Sequence, residues 1–137
     1  MTKNFCIISH DGGGANILSL WSKKNKKKNI FSVNGPAKKI FANNIGKFLN
    51  TSISKAISNS RIVISSTGHS NYEKKAMLLA KNKNKKLIAY LDHWVNYRER
   101  FIYKKKIIQP NEIWVSDHFA LNAEKKIFKK IPIKLKK

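Results

Sequence analysis

Acidic residues are scarce in this chain. Seven Asp and Glu stand against 29 Lys and Arg, which leaves a net charge of +22 at pH 7. Arginine is scarce too: only Arg61, Arg98 and Arg100 occur, so nearly all the positive charge is lysine. A protein that reads nucleic acid concentrates charge on one face and sets arginine against base edges. Here the lysines are scattered, as in Lys23-Lys24, Lys26-Lys27-Lys28, Lys38-Lys39, Lys74-Lys75 and Lys125-Lys126. They arrive with abundant Asn and Ile, as AT-rich coding would supply them. The pattern favours a solvated, compositionally biased surface over a dedicated nucleic-acid interface. It stays compatible with attraction to phosphate-bearing small molecules and with peripheral contact on an anionic membrane.

A single cysteine, Cys6, excludes an internal disulfide and suits a reducing compartment. It lies in the apolar run Phe5-Cys6-Ile7-Ile8 and reads as a small core residue rather than a reactive thiol. No stretch is long and apolar enough to span a membrane. The start of the chain leads straight into a predicted strand and does not resemble a signal peptide. The expectation is a cytoplasmic protein, able to sit peripherally at the inner membrane face. With 137 residues, 42% of them hydrophobic, the chain is one ordinary domain able to bury a real core.

Buried strands are expected at Phe5–Ser9, Ile30–Val33, Arg61–Ser65, Leu87–Leu91 and Glu112–Val115. Helices are expected at Ala15–Lys27, from Pro36 to about Phe48, over a short stretch bearing Ile53, Ala56 and Ile57, from Ser70 to about Lys81, and from Ser116 or Asp117 through Ile127 or Phe128. Pro36 suits a first helical position, and Thr51 or Ser52 suits a cap. Ser70 followed three residues later by Glu73 has the form of a capping box. Strand and helix alternate, so the fold class is α/β: one Rossmann-like domain over residues 1–130, with an about five-stranded parallel sheet and helices on both faces. Residues 131–137 look like a basic tail.

In such sheets, ligands bind outside the carboxyl ends of the strands. His10, Asp11 and Gly12-Gly13-Gly14 follow the first strand. Ser66, Thr67, Gly68 and His69 follow the third, Asp92 and His93 the fourth, and Ser116, Asp117 and His118 the fifth. All four histidines and all three aspartates lie just past strands. Helix capping accounts for some of these residues taken singly, but not for the joint placement of the histidines. Glycines let backbone N–H groups approach an anion at a helix start, with Asn16 one turn further on. The turn is neither G-x-G-x-x-G nor a Walker loop, so a tight strand-to-helix turn is the plain alternative.

Asp92-His93-Trp94-Val95-Asn96-Tyr97-Arg98-Glu99-Arg100-Phe101 gathers an acid, an imidazole, an amide, guanidinium groups and three aromatic rings. Trp94 and Tyr97 could stack a sugar or base, while Arg98 and Arg100 could grip phosphate or carboxylate. The plain alternative is a short helix packing Trp94, Tyr97 and Phe101 inward, with both arginines in solvent. No local metal signature or nucleophile elbow occurs, so no metal site is expected.

These segments, together with Gly35-Pro36-Ala37 and Ser65-Ser66-Thr67-Gly68, resemble the amino-terminal half of GT-B-type glycosyltransferases and the related nucleotide-sugar 2-epimerases of bacterial surface-polysaccharide synthesis. The segment from Leu91 to Phe101 is the most distinctive. The resemblance implies two facing domains. The first holds a glycan acceptor and supplies a base; the second holds a sugar nucleotide. Gly12, Gly13 and Gly14 match the family's glycine-rich loop facing the cleft. His10, Asp11 and Asp92, with His93 beside it, are the catalytic candidates. No cofactor or metal would be required. The chain ends where the second domain would begin, which implies a fragment, a split protein needing a carboxyl-terminal partner, or a remnant. Two other readings stand beside this one: a non-enzymatic module binding anions or nucleic acid, resting on the charge, and a small hydrolase using Asp11, Asp92 and the histidines.

Overall fold

The computed structural model describes residues 3–68, 70–91, 99–115 and 131–135. The first strand, β1 (Lys3–Ser9), alternates its side chains between two cores. Cys6 and Ile8 face one, Phe5 and Ile7 the other, as the two-residue repeat of a pleated strand requires. The same alternation runs through β3 (Ser60–Ser66), β4 (Lys86–Leu91) and β7 (Glu112–Val115). These short runs are apolar at nearly every position because both faces are covered.

Helix α1 (Gly12–Ser22) buries Ala15, Leu18, Ser19 and Ser22, one helical face. A 3-10 turn over Lys23–Lys28 then leads into β2 (Asn29–Val33). Helix α2 (Pro36–Ile45) opens on proline and buries Ala37, Phe41 and Ile45. With α1 it covers the face carrying Ile7, Ile64 and Tyr90. On the opposite face lie α3 (Ile53–Ser58), capped by Ser52, and α4 (Asn71–Asn82). They pack Ala56, Ile57, Ala76, Met77 and Ala80 against Cys6, Ile8, Val63 and Leu87. Burial pushes the Cys6 thiol up to about 12 against a hydrogen bond from Ser60, so this cysteine is an inert core group.

Three expected helix boundaries shift. Helix α1 stops at Ser22 rather than Lys27, and the chain runs on as the 3-10 turn. Helix α1 begins three residues earlier than its periodicity suggests, because the glycines form its first turn. Helix α2 stops at Ile45, where Gly46 takes φ 78°. After the fourth strand, a 3-10 turn over Glu99–Phe101 leads to a small antiparallel hairpin of β5 (Ile102–Tyr103) and β6 (Lys106–Ile107). The helix expected from Ser116 or Asp117 lies outside the described residues.

Among the described residues the sheet has six parallel strands rather than about five, in the order β2-β1-β3-β4-β7 and then a last strand at the far edge. The additional strand, β8 (Ile133–Leu135), corrects the expectation of a basic tail over residues 131–137. It pairs with β7 from Ile113↔Ile133 to Val115↔Leu135. Lys134 Nζ reaches Glu112 Oε1 at 2.8 Å, and Trp114 Nε1 donates to Glu112 Oε2 at 2.5 Å. Burial alone would raise the Glu112 carboxyl. The bonds from Lys134 and Trp114, and the nearby lysine charges, hold it below the usual value. This is a Rossmann-like α/β domain, and its strand order reverses between β1 and β3.

Candidate functional site

Strands β2 and β3 lie on opposite sides of β1, so the connections leaving β1 and β3 diverge at their carboxyl ends. Such a reversal opens a crevice. His10 and Asp11 lie on one lip, Thr67 and Gly68 on the other.

Three glycines let these loops close on one another. A Cβ on Gly14 would fall 2.5 Å from Ser66 Cβ, so helix α1 can approach β3 only as glycine. A Cβ on Gly68 would collide with the Asp11 carboxylate. Gly35 takes φ 56°, and a Cβ there would lie 2.6 Å from His10 Nε2. The imidazole thus occupies room that a side chain would otherwise fill.

Within this space His10 Nδ1 and Asp11 Oδ1 are 2.7 Å apart. The two side chains are 29% and 34% exposed, so the pair is anchored yet open to a ligand. An ionised Asp11 accepts from Nδ1–H, which makes Nε2 the basic nitrogen. The His10 ring also lies 5.9 Å from that of Tyr72, whose hydroxyl is held 2.6 Å from Ser32 Oγ. Burial raises the Tyr72 phenol above its ordinary value, against that bond.

Glu73 lies beneath the pair with no exposed surface. Its Oε2 accepts the His10 backbone N–H at 3.3 Å and a short bond from Ser66 Oγ, while its Oε1 accepts from Ser70 Oγ at 3.1 Å. Ser66 Oγ in turn lies 2.8 Å from Ser9 Oγ. Burial pushes the Glu73 carboxyl up to about 7. The Ser66 bond opposes this, and the nearby Asp11 charge adds to it. Glu73 is therefore about half protonated near pH 7, in a hydrogen-bonded network under the half-buried pair.

The expected capping box takes another form. Ser70 does occupy the N-cap of α4, but its side chain makes no cap bond to the backbone. Its hydroxyl donates to Glu73 instead, and the other carboxyl oxygen accepts from His10 N–H, just past β1, and from Ser66 Oγ in β3. Ser66 bonds to Glu73 and Ser9, so the described residues form no Ser-His-Asp relay.

On the β4 side, Thr67 Oγ1 donates to Tyr90 O at 3.0 Å. Arg100 Nη1 reaches Thr67 O at 3.4 Å and Thr67 Oγ1 at 3.3 Å. Arg100 is only 5% exposed, so the reading that put it in solvent fails. Its guanidinium braces the loop after β3 from inside. Phe101 is buried in the core, as packing predicts.

The structure thus brings His10, Asp11, Gly14, Thr67, Gly68 and Arg100 to one place. Gly12 lies at the start of α1, and Gly13 is exposed beside it. Asn16 is exposed and accepts from Asn44 Nδ2 at 3.0 Å, so it joins α1 to α2. His69, Asp92, His93, Trp94, Asn96, Tyr97, Arg98, Asp117 and His118 lie outside the described residues. Among the described residues, no group of three His, Cys, Asp or Glu is placed to hold a metal ion. Sequence reasoning placed Ser9 and Ser66 at the strand ends without assigning them a task, and left Tyr72 and Glu73 out of the site. The capping pattern at Ser70 and Glu73 pointed to the right segment for a different reason.

Compared with known proteins, the chain matches no family model, no curated protein and no solved structure. Its chemistry therefore rests on the geometry: a half-buried imidazole oriented by a carboxylate, over a buried carboxyl that titrates near neutrality.

Proposed function

We propose that this domain is the acceptor-side half of a glycosyltransferase-like cleft acting in surface-polysaccharide synthesis. The observation that carries the reading is the 2.7 Å His10–Asp11 pair at the reversal of the sheet. An acceptor hydroxyl gives its proton to His10 Nε2 as its oxygen bonds to the anomeric carbon of the donor sugar. The bond from that carbon to the nucleotide phosphate breaks, and the nucleotide leaves with the electron pair. Asp11 stabilises the imidazolium that forms. The sugar nucleotide is held by a second domain or chain facing this edge.

Titration with a panel of acceptor saccharides tests the reading, followed by transfer assays with sugar nucleotides and a carboxyl-terminal partner chain supplied. Saccharide binding should shift the His10 ring nitrogen resonances. Asp11→Asn should keep that binding and lower the transfer rate at least about a hundredfold, the scale of general-base catalysis. Transfer unchanged by Asp11→Asn would remove the base from this pair.

The net charge of +22 favours a second reading, a module that binds anionic polymers. Under it, RNA or DNA binding falls steeply with salt and does not depend on His10 or Asp11.

A further inference from the structure

Beyond the carboxyl end of β2, the surface sinks into a hollow of ≈ 540 Å³. Lys38 from α2 and Lys75 from α4 stand in its wall, with no acidic residue among the lining side chains. Among the described residues neither lysine is ion-paired. Asn34, Asn50, Ser52 and Ser54 add amides and hydroxyls, over an apolar floor that includes Ile53 and Leu79.

Two of the polar groups are held in place. Asn50 Oδ1 accepts from Val33 N–H at 2.9 Å, and Asn50 Nδ2 donates to Val33 O at 2.8 Å. Tyr72, on the wall, is held by Ser32. Tyr72 also makes the ring contact with His10, so one residue borders both the hollow and the catalytic pair.

We infer that this hollow binds the anionic group of a hydroxylated ligand, a sugar bearing a phosphate or a carboxylate. Lysines from two elements suit a point negative charge, and the amides and hydroxyls suit ring hydroxyls. Tyr72 would then set the distance from the anchored anion to the hydroxyl that meets His10. Lys26, Lys27 and Lys47 line a second hollow, where Lys26 Nζ donates to Ile45 O at 2.9 Å; here two lysines share one concavity with fixed polar groups. The inference rests on the acceptor reading for the ligand's role, but the binding itself is measured without any transfer.

Calorimetric titration with glucose 6-phosphate, glucuronate and glucose tests it, with inorganic phosphate as a fourth probe. The charged sugars should bind at least about tenfold more tightly than glucose, and Lys38→Ala and Lys75→Ala should each cost about tenfold, the scale of one charge-assisted bond. The stronger of the two charged sugars identifies phosphate or carboxylate as the anion. Lys83→Ala, at the carboxyl end of α4, should change nothing. Equal affinity for glucose overturns the inference, as does equal loss in all three lysine variants or inorganic phosphate matching the sugar phosphate. Charged-sugar binding that depends on Lys38 and Lys75 but leaves the His10 resonances unmoved supports the hollow and sinks the acceptor reading instead.

Discussion

Glu73 lies beneath His10 and Ser66, and its position makes a pH prediction. The unfolded chain ionises this carboxyl near the ordinary glutamate value of 4.5, whereas the native protein keeps the proton up to about 7. Below both values the two states are protonated alike. Between them the unfolded state releases its proton first, so this group lowers stability as pH rises. Above about 7 the full deficit remains, of the order of 3 kcal/mol. Glu73→Gln carries no such charge, so its melting temperature should rise relative to the native protein from mildly acidic to mildly alkaline pH. Parallel melting profiles would show that Glu73 does not titrate in this range. The glycines make a second prediction. Gly68→Ala should cost about 1–3 kcal/mol in urea unfolding, because its methyl occupies the space of the Asp11 carboxylate. Adding Asp11→Ala should recover part of that loss; strict additivity would mean that the two do not touch. His10 and Asp11 were legible from sequence because they follow a strand, and strand ends are where such sheets bind. Glu73 was not, because its bond to His10 spans 63 positions in the chain and local spacing offered a complete alternative.

Asn50 does for β2 what a neighbouring strand would do. Its carboxamide satisfies both the N–H and the C=O of Val33 on the outer edge of the sheet, and Thr51 N–H donates to Phe31 O at 2.8 Å. Asn50→Ala should cost about 1–3 kcal/mol and speed hydrogen exchange at the Val33 amide, with β4 exchange unchanged. Unaltered exchange at Val33 would show that water replaces the carboxamide without loss. Such edge protection is not readable from periodicity, because Asn50 lies in an exposed loop with no pattern of its own. The strands themselves were readable, since Cys6-Ile7-Ile8 and Ile62-Val63-Ile64 are apolar on both faces and short. The hairpin of β5 and β6 was not. Its turn residues, Lys104 and Lys105, take φ 50° and 65°. That conformation usually selects Asn or Gly, so two lysines gave no turn signal.

At the scale of the whole molecule, β8 closes the far side of the sheet and covers the edge of β7. Removing residues 131–137 should lower the melting temperature and promote self-association seen by light scattering, since β7 would then present an unpaired edge. A truncated chain that stays monomeric and equally stable would deny β8 that role. The strand escaped sequence reading because Ile133-Lys134-Leu135 is three residues long and sits between Pro132 and Lys136-Lys137. The +22 charge belongs to this scale too, and it competes with the site as an explanation of any anion binding. Mapping amide shifts by NMR during titration with an acceptor saccharide separates the two most directly. The account predicts that the shifts concentrate at Ser9–Gly14 and Ser66–Gly68, at the carboxyl ends of β1 and β3, and persist at high salt. Shifts spread over Lys23–Lys28 and the other lysine-rich stretches, fading as salt rises, would contradict it.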